Sequence, residues 1–282
     1  MTGFNIQHFI RDALREDIRS GDITSLACIP EDHRSMALLK VKEDGVLAGV
    51  ELAKDIFHHV DPSIRMDIFK PDGSYIHFGD VAFEVEGKTR DLLSCERVVL
   101  NAMQRMSGIA SLANRFATEV ADLPVKLLDT RKTTPLIRYL EKWAVRLGGC
   151  HNYRDGLYDW FMIKDNHIAA CGSVVKAIKA VSAYQKKNGL ENVGVTVEVK
   201  NLIELEQVLQ HGQVTRIMFD NFELELMREG VAMVDKRHET EASGGVHLET
   251  VRKIALTGVD FISIGALTHS AGSLDLSLKI QS

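Results

Sequence analysis

The chain has few cysteines, few prolines and no long apolar run. Its 282 residues include four cysteines and five prolines. The cysteines (28, 95, 150, 171) lack C-x-x-C spacing, which argues against a disulfide framework or a zinc site and favours a reducing compartment. Residues 1–20 carry six charged side chains, unlike a signal peptide, and no stretch could span a bilayer. We expect a cytoplasmic protein with one large domain, or one large and one small.

Acidic residues outnumber basic ones overall, but one window concentrates positive charge. The net charge is −5, whereas residues 126–154 contain seven Lys/Arg and two acids, a local balance of +5. The seven are Lys126, Arg131, Lys132, Arg138, Lys142, Arg146 and Arg154. An acidic protein with one basic stretch is suited to a small polyanion, because nucleic acid would require basic charge spread along a surface. We therefore expect no nucleic acid and no membrane as partners.

The apolar pattern changes near residue 120. Before it, the pattern predicts an amphipathic helix around Phe9–Leu14, strands at 35–42, 64–69 and 81–85, and a long helix over 91–121. After it, apolar runs at 125–128, 160–163, 193–199, 216–219, 239–242 and 261–264 alternate with helices that start near residues 135, 172, 201, 222 and 247. Domains over 1–120 and 121–269 are expected, and the repeats predict a parallel sheet, open or closed.

Polar residues at the strand ends distinguish the two sheet types. Asp129, Lys164, Glu198, Asp220 and Ser243 stand at or just after five successive runs. They can converge only if the strands close into a barrel, whereas an open sheet would bring together only those beside its switch point. We therefore favour an α/β barrel. Six strands are fewer than the usual eight, so the barrel is expected to be incomplete.

Small residues follow the last two strands. These are Ser243-Gly244-Gly245 and Ile264-Gly265-Ala266. Barrels commonly bind a phosphate on backbone N–H groups at this position, and small side chains allow the close approach. Each motif alone also fits an ordinary turn or helix entry. Their paired position favours the phosphate.

The basic window predicts a helix with an anion site at its start. Thr134 is a candidate N-cap before Pro135, and Gly148-Gly149 would end the helix. Arg131 and Lys132 would then lie in the loop that enters the helix, where free backbone donors favour an anion. Arg138, Lys142 and Arg146 recur every four residues, and with Glu141 they predict a solvated face.

The segment Lys164-Asp165-Asn166-His167 admits several interpretations. Lys164 could form a Schiff base, bind an anion as a point charge, or extend from the rim into water. For Asp165 and His167, a structural turn is favoured over metal ligation. Glu198 and Asp220 are suited to sugar hydroxyls and a bridging Mg²⁺ rather than to a tight metal site, which would require more ligands.

Seven motifs occur in order: LDTRKTTP, GGCHNYRDGL, MIKDNHI, VEVKN, FDNF, EASGG and IGALTHS. With SCERVVLNAMQRMSGIAS and REDIRSGDITS before them, they resemble the quinolinate phosphoribosyltransferase family over nearly the whole chain. The resemblance implies an N-terminal α/β sandwich domain, joined by residues 270–282, plus an incomplete TIM-like α/β barrel. It also implies a homodimer or larger assembly with shared active sites. The implied reaction joins quinolinate to phosphoribosyl pyrophosphate, giving nicotinate mononucleotide, CO₂ and pyrophosphate for de novo NAD synthesis.

The resemblance also implies roles for individual residues. Lys132, Glu198 and Asp220 would be catalytic, and the last two would hold the ribose hydroxyls and Mg²⁺, the only cofactor expected. The substrate anions would be bound by Arg97, Thr130, Arg131, Arg154 and Lys164. The 5′-phosphate would be surrounded by Ser243, Gly244, Gly245, Ile264, Gly265, Ala266 and His269.

Two positions depart from the family pattern. Tyr153 replaces a substrate-facing histidine, and Leu136 replaces a glycine after Pro135. We expect Tyr153 to contact the substrate through its neutral hydroxyl. Three alternatives remain at this stage: a barrel aldolase that uses Lys164, a non-catalytic nucleotide-binding protein, and a related phosphoribosyltransferase that acts on another aromatic acid.

Overall fold

The computed structural model describes residues 3–281, which form two compact units. The first comprises residues 3–114, Thr134–Gly149 and 270–281, and the second comprises Arg115–Thr133 and Cys150–His269. Residues 134–149 lie within the range expected for the barrel, yet they belong to the first unit. No helix in the described range is long and apolar enough to cross a bilayer.

The elements up to residue 119 are α1 (Ile6–Ile18), α2 (Ile23–Cys28), β1 (Arg34–Val41), β2 (Gly45–Val46), α3 (Val50–Val60), β3 (Arg65–Ile68), β4 (Tyr75–Ile76), β5 (Val81–Lys88) and α4 (Thr89–Glu119). The predicted first helix, three strands and long helix are confirmed as α1, β1, β3, β5 and α4. The short elements α2, α3, β2 and β4 were not predicted.

The elements after residue 119 are β6 (Lys126–Leu128), α5 (Arg138–Leu147), β7 (Phe161–Ile163), α6 (Asp165–Cys171), α7 (Val174–Asn188), β8 (Val195–Val199), α8 (Leu202–His211), β9 (Arg216–Asp220), α9 (Leu224–Val234), β10 (Glu239–Ser243), α10 (Leu248–Ala255), β11 (Phe261–Ser263), α11 (Ala266–His269) and β12 (Leu276–Ile280). All six predicted strands are present. The helices α6 and α11 and the strand β12 were not predicted.

The first unit contains an antiparallel sheet in the order β12-β1-β5-β3. Ala37, Leu39 and Val41 on β1 are fully buried and alternate with more exposed residues, as expected when one face of a sheet packs on a core. On that core, Phe57 of α3 meets Phe83 of β5 edge to face at 6.2 Å between ring centroids.

The second unit contains six parallel strands in the order β6-β11-β10-β9-β8-β7. In a flat sheet β7 and β11 would lie about 19 Å apart. However, the Arg216 guanidinium lies 3.6 Å from the ring centroid of Phe261, which begins β11, and 5.6 Å from that of Trp160, which precedes β7. The sheet is therefore rolled around Arg216. Because β6 and β7 do not pair, the barrel is incomplete.

Two predictions about α5 were wrong. The helix begins at Arg138 with Ile137 as N-cap, so Thr134 is not the cap. Its predicted solvated face is partly internal, because Glu141 and Lys142 are fully buried. Glu141 accepts hydrogen bonds from Arg105 Nη2 at 2.7 Å and from the Thr134 backbone N–H at 3.0 Å. This pairing offsets the cost of burying the carboxylate. Gly148 ends the helix as predicted.

Candidate active site

Four polar side chains share one face at the carboxyl ends of neighbouring strands. Ser243 pairs with Asp220, and Ile163 pairs with Val197, which places Lys164 beside Glu198. Glu198 pairs with Met218, two residues before Asp220, so the two pairs share one face and are offset by about 6.6 Å along the strands. The structure thus brings together side chains that are up to 79 positions apart in the sequence.

Lys164 and Glu198 form an ion pair across two strands. The side chain of Glu198 is 8% exposed and that of Lys164 is 41% exposed, so the carboxylate is buried and the ammonium reaches the surface. A Schiff base requires a neutral amine, whereas Lys164 is engaged as a cation. The pair therefore weakens the aldolase interpretation and leaves Lys164 available to an anion as a point charge.

Asp165 and His167 make structural contacts, as the sequence favoured, but they lie in the first turn of α6 and not in a loop. The Lys164 backbone N–H donates to Nδ1 of His167 at 3.0 Å, and Asp165 accepts from the Asn166 backbone N–H at 2.7 Å. Lys200 Nζ lies 3.5 Å from Asp165. Both candidate ligands therefore have partners within the protein.

Lys132 lies against the small-residue segment that follows β11. Its carbonyl accepts from the Thr268 hydroxyl at 2.8 Å, and its N–H donates to Thr130 Oγ1 at 3.1 Å. A Cβ on Gly265 would lie 3.0 Å from Lys132 Cδ and 3.1 Å from the His269 ring. A side chain here would press on both neighbours, so the glycine allows Lys132 and His269 to approach the segment Ile264-Gly265-Ala266 closely.

The segment Ser243-Gly244-Gly245 is interlocked with the end of β9. Gly244 has φ +96°, and a Cβ there would lie 2.2 Å from the side-chain oxygen of Asn221. Asn221 itself donates from its backbone to the Ser243 carbonyl at 2.9 Å and from its side chain to Asp220 at 3.0 Å. Asn221 lies within the motif FDNF, but the sequence alone indicated no role for it. It is the residue that ties Asp220 to the small-residue turn.

Asp129 fixes the segment that carries Arg154. It is fully buried and accepts from Asn152 Nδ2 at 2.5 Å and from the Tyr153 backbone N–H at 2.8 Å. His151 pairs with the end of β6, donating to the Leu127 carbonyl at 2.8 Å. Residues 151–154 thus line the unpaired side of β6. Asp129 holds this segment in place and contributes no free carboxylate to the site.

Arg131 and Arg154 form a pair of like charges. The pKa of Arg154 is lowered, first by partial burial and then by the charge of Arg131. In the described part of the chain, the buried Nε of Arg131 has no hydrogen-bond partner. Adjacent guanidinium groups with a free buried donor are suited to a carboxylate, which would relieve the repulsion and accept the hydrogen bond.

Two family models match the chain in sequence order. Residues 22–107 match the N-terminal domain of quinolinate phosphoribosyl transferase, and residues 109–279 match the C-terminal domain. The chain belongs to the quinolinate phosphoribosyltransferase family.

Named relatives support this family across the whole chain. The chloroplastic, carboxylating nicotinate-nucleotide pyrophosphorylase of Arabidopsis thaliana is 45% identical over 292 residues, covering 98% of this chain and 83% of the relative. A probable enzyme of that name from Bacillus subtilis is 40% identical, covering 99% and 95%. The crystal structure of NadC from Streptococcus pyogenes superposes with a TM-score of 0.93 at 39% identity, covering 100% and 99%. The expected fold is thereby confirmed.

The hydroxyl of Tyr153 has a partner inside the barrel. Its hydroxyl lies 2.6 Å from Thr196 Oγ1, on a residue that is fully buried within β8. Burial raises the pKa of Tyr153, and the nearby Glu241 carboxylate raises it further. The rolled sheet therefore supplies an internal partner for this hydroxyl, and the expected contact with substrate stays a prediction.

Leu136, the second departure, keeps a conformation that favours glycine. Its φ is +69°, and 91% of its surface is exposed. A left-handed conformation costs an L-residue about 1–2 kcal/mol, and this leucine gains little from packing. The loop therefore retains a glycine-like shape despite the substitution.

Arg97 lies on α4 in the first unit. Its side chain is 59% exposed and its Nη2 is 4.0 Å from Glu96. An exposed ion pair at this distance contributes little energy, so contacts within α4 do little to fix the Arg97 side chain.

Proposed function

We propose that this chain transfers the phosphoribosyl group of phosphoribosyl pyrophosphate to quinolinate, giving nicotinate mononucleotide, CO₂ and pyrophosphate in de novo NAD biosynthesis. The observation that carries the proposal is the Arg131–Arg154 pair of like charges, together with the buried Nε of Arg131, which is unpartnered within residues 3–281, and it supports an acid-binding role. A dicarboxylate supplies the two negative charges that this pair lacks.

The site requires cations because both substrates are anions. Two like charges at 4 Å repel by about 4 kcal/mol at an effective dielectric of 20. Arg131, Arg154 and Lys164 would bind the carboxylates with Thr130, while Lys132 would face the pyrophosphate. Displacement at the anomeric carbon develops positive charge on the sugar, so the protein needs to position and stabilise rather than to provide a nucleophile.

The decarboxylation requires no organic cofactor in this scheme. After transfer, the pyridine nitrogen carries the ribose and is positive. Loss of CO₂ from the adjacent carbon leaves an electron pair that this charge stabilises, and a proton then takes its place. The protein's part is to hold the ring in position and to exclude water from it.

Mg²⁺ fits the carboxylates that the site offers. In the described residues, no three His, Cys, Asp or Glu side chains cluster to hold a metal. Mg²⁺ commonly binds through one or two carboxylates together with water and substrate phosphates. We propose that Glu198 and Asp220 hold it jointly with the ribose hydroxyls, while Ser243–Gly245, Gly265 and His269 surround the 5′-phosphate.

We also propose a homodimer in which Arg97 reaches the partner's site. The exposed position of Arg97 and its weak local partner support this role. Arg97→Ala and Lys132→Ala should each be nearly inactive alone, because each loses a charge-assisted contact to an anion. After subunit exchange the mixture should regain activity, because one of the two sites then has both residues intact. Exchange confirmed by native mass spectrometry without recovered turnover would contradict the shared site.

The direct test is turnover by the purified protein with Mg²⁺. Phosphoribosyl pyrophosphate and quinolinate should release pyrophosphate and CO₂ in equal amounts. Pyrophosphate without CO₂ would indicate transfer to another position or another acid, and no release of either would refute the proposed reaction. Leaving out Mg²⁺ tests the metal in the same assay.

A cytoplasmic location remains our proposal. All four cysteines are free thiols in the structure, which supports a reducing compartment. The relatives named from plants include chloroplastic and mitochondrial proteins.

A further inference from the structure

A layer of polar side chains lies inside the barrel, beneath the face that carries Lys164, Glu198, Asp220 and Ser243. Thr196 precedes Glu198 by two residues on β8, and Glu241 precedes Ser243 by two residues on β10. Residues two apart on a strand share a face, so each lies about 6.6 Å deeper than the active-site residue above it. Glu241 accepts from Arg216 Nη1 at 3.2 Å and from the Ser263 hydroxyl. This layer is buried, and the reaction as described makes no use of it.

The Thr196 hydroxyl joins two aromatic residues in this layer. Trp160 Nε1 donates to it at 2.9 Å, and the Tyr153 hydroxyl lies 2.6 Å away. The two rings also meet at a steep angle of 65° with centroids 6.1 Å apart. The Arg216 guanidinium lies 5.1 Å from the Tyr153 ring. Tyr153 is therefore fixed by a hydrogen bond at its tip and by contacts along its ring.

Both aromatic residues connect to Arg154. Tyr153 precedes it in the chain, with its own backbone N–H held by Asp129. Trp160 offers its carbonyl to Arg154 Nη1 at 3.2 Å. The guanidinium is thus restrained at two points, through the backbone from Tyr153 and through a hydrogen bond from Trp160. Both restraints lead back to the hydroxyl of Thr196.

We propose that Tyr153, Thr196 and Trp160 act as one positioning group that holds the guanidinium of Arg154 for the acid substrate. Tyr153 takes part as a positioning residue and does not touch the substrate. The inference deepens the proposed function, since it rests on Arg154 binding a carboxylate of quinolinate. It explains how a chain with tyrosine in place of the family's histidine retains an ordered acid site.

The alternative is direct contact between the Tyr153 hydroxyl and the substrate, and a double-mutant cycle separates the two. If Tyr153 acts through Thr196, Tyr153→Phe and Thr196→Val both remove the Tyr153–Thr196 hydrogen bond; Tyr153→Phe also removes one to Glu241, and Thr196→Val also removes the one from Trp160. Each should then raise KM for quinolinate roughly 2- to 12-fold, the worth of one hydrogen bond, and the rise in the double variant should be smaller than the product of the two single effects. KM for phosphoribosyl pyrophosphate and kcat should change less than twofold.

Two further variants separate positioning from general loss of stability. Thr196→Ser keeps the hydroxyl but loses a buried methyl group, so it should lower the melting temperature while keeping KM near the wild-type value. Thr240→Val removes a different buried strand hydroxyl, one bonded to Asp260 at 2.7 Å, and should destabilise without raising KM. Raised KM in both controls would show that any loss of stability suffices, and would overturn the proposal.

The reactivity of Arg154 can be measured without turnover, so this test does not depend on the proposed reaction. Phenylglyoxal modification of Arg154, followed by peptide mass spectrometry, should become roughly 2- to 12-fold faster in Tyr153→Phe and Thr196→Val, with exposed Arg228 as the internal reference. Absence of turnover in the wild-type protein would refute the proposed function, whereas the modification rates of Arg154 would still test the positioning group. Unchanged modification rates, additive KM effects, or a raised KM in Tyr153→Phe but not in Thr196→Val would each refute the positioning group.

Discussion

Loss of one carboxylate from the acid substrate should cost this enzyme most of its efficiency. In the free site, Arg131 and Arg154 repel each other, as the lowered pKa of Arg154 shows after the effect of burial. Quinolinate would pair both cations, whereas nicotinate would leave one facing its neighbour without a counter-charge. Loss of one member of a buried pair costs about 2–5 kcal/mol. Because Arg154 is only half-buried, we expect the lower part of this range, about 2–3.5 kcal/mol.

This energy corresponds to a preference of about 30- to 300-fold in kcat/KM for quinolinate over nicotinate, at 1.4 kcal/mol per factor of ten. Pyrophosphate release with each acid at saturating phosphoribosyl pyrophosphate measures the ratio. In Arg154→Ala the ratio should shrink towards one, because the cation that selects the second carboxylate is gone. Arg228→Ala, on an exposed arginine paired with Glu225, is the matched control and should leave the ratio unchanged. Equal efficiency on both acids, or an undiminished ratio in Arg154→Ala, would refute the electrostatic argument.

Three other predictions concern stability and reactivity. Arg216→Met should lower the free energy of unfolding by about 3–5 kcal/mol in urea titrations, because it leaves the buried Glu241 carboxylate without its cation. Burial raises the folded-state pKa of Glu241, so stability is greatest where this side chain is protonated, below its unfolded pKa, and falls as the pH rises and the side chain ionises; the cost of Arg216→Met should accordingly shrink towards pH 4.5, and a pH-independent cost would contradict this. Leu136→Gly should raise the melting temperature by about 1–3 °C, since relief of the left-handed backbone outweighs the added flexibility of the unfolded chain. Burial raises the pKa of Cys150 to about 12, so iodoacetamide at pH 8 should modify exposed Cys171 far faster than Cys150, as peptide mass spectrometry would show.

The polar residues at the strand ends could be predicted from the sequence, because the strands themselves follow from the periodicity of the apolar runs. Parallel strands buried on both sides appear as short apolar runs, and their ends are marked where a charged or small residue follows. Lys164, Glu198, Asp220 and Ser243 each stand at such an end, and the structure places them on one face of the sheet. Their convergence required only that the sheet closes, which the number of polar strand ends already indicated.

The errors at α5 arose where distant residues overrode local signals. Thr134 before Pro135 is a good cap motif, but Glu141 takes up the Thr134 hydroxyl and N–H instead. Glu141 looked like a surface acid among basic residues. Its partner Arg105 lies 36 positions earlier, and no local pattern links the two. Burial of a charged residue on a helix can be predicted only when its partner is known.

The direction of Tyr153 could not be obtained from family resemblance, because resemblance transfers the position of a residue but not the partners of a new side chain. A buried phenol requires a hydrogen-bond partner, and it will turn towards whichever is available. The signal was present in β8, where Thr196 interrupts V-T-V-E-V in phase with Glu198 and therefore faces the barrel interior. An internal hydroxyl in that phase, together with a tryptophan before the preceding strand, marks a polar layer under the site. Under the proposed positioning role, replacement of a substrate-facing histidine by tyrosine would move this position from contacting the ligand to supporting Arg154, and would leave recognition of the acid to Arg131, Arg154 and Lys164.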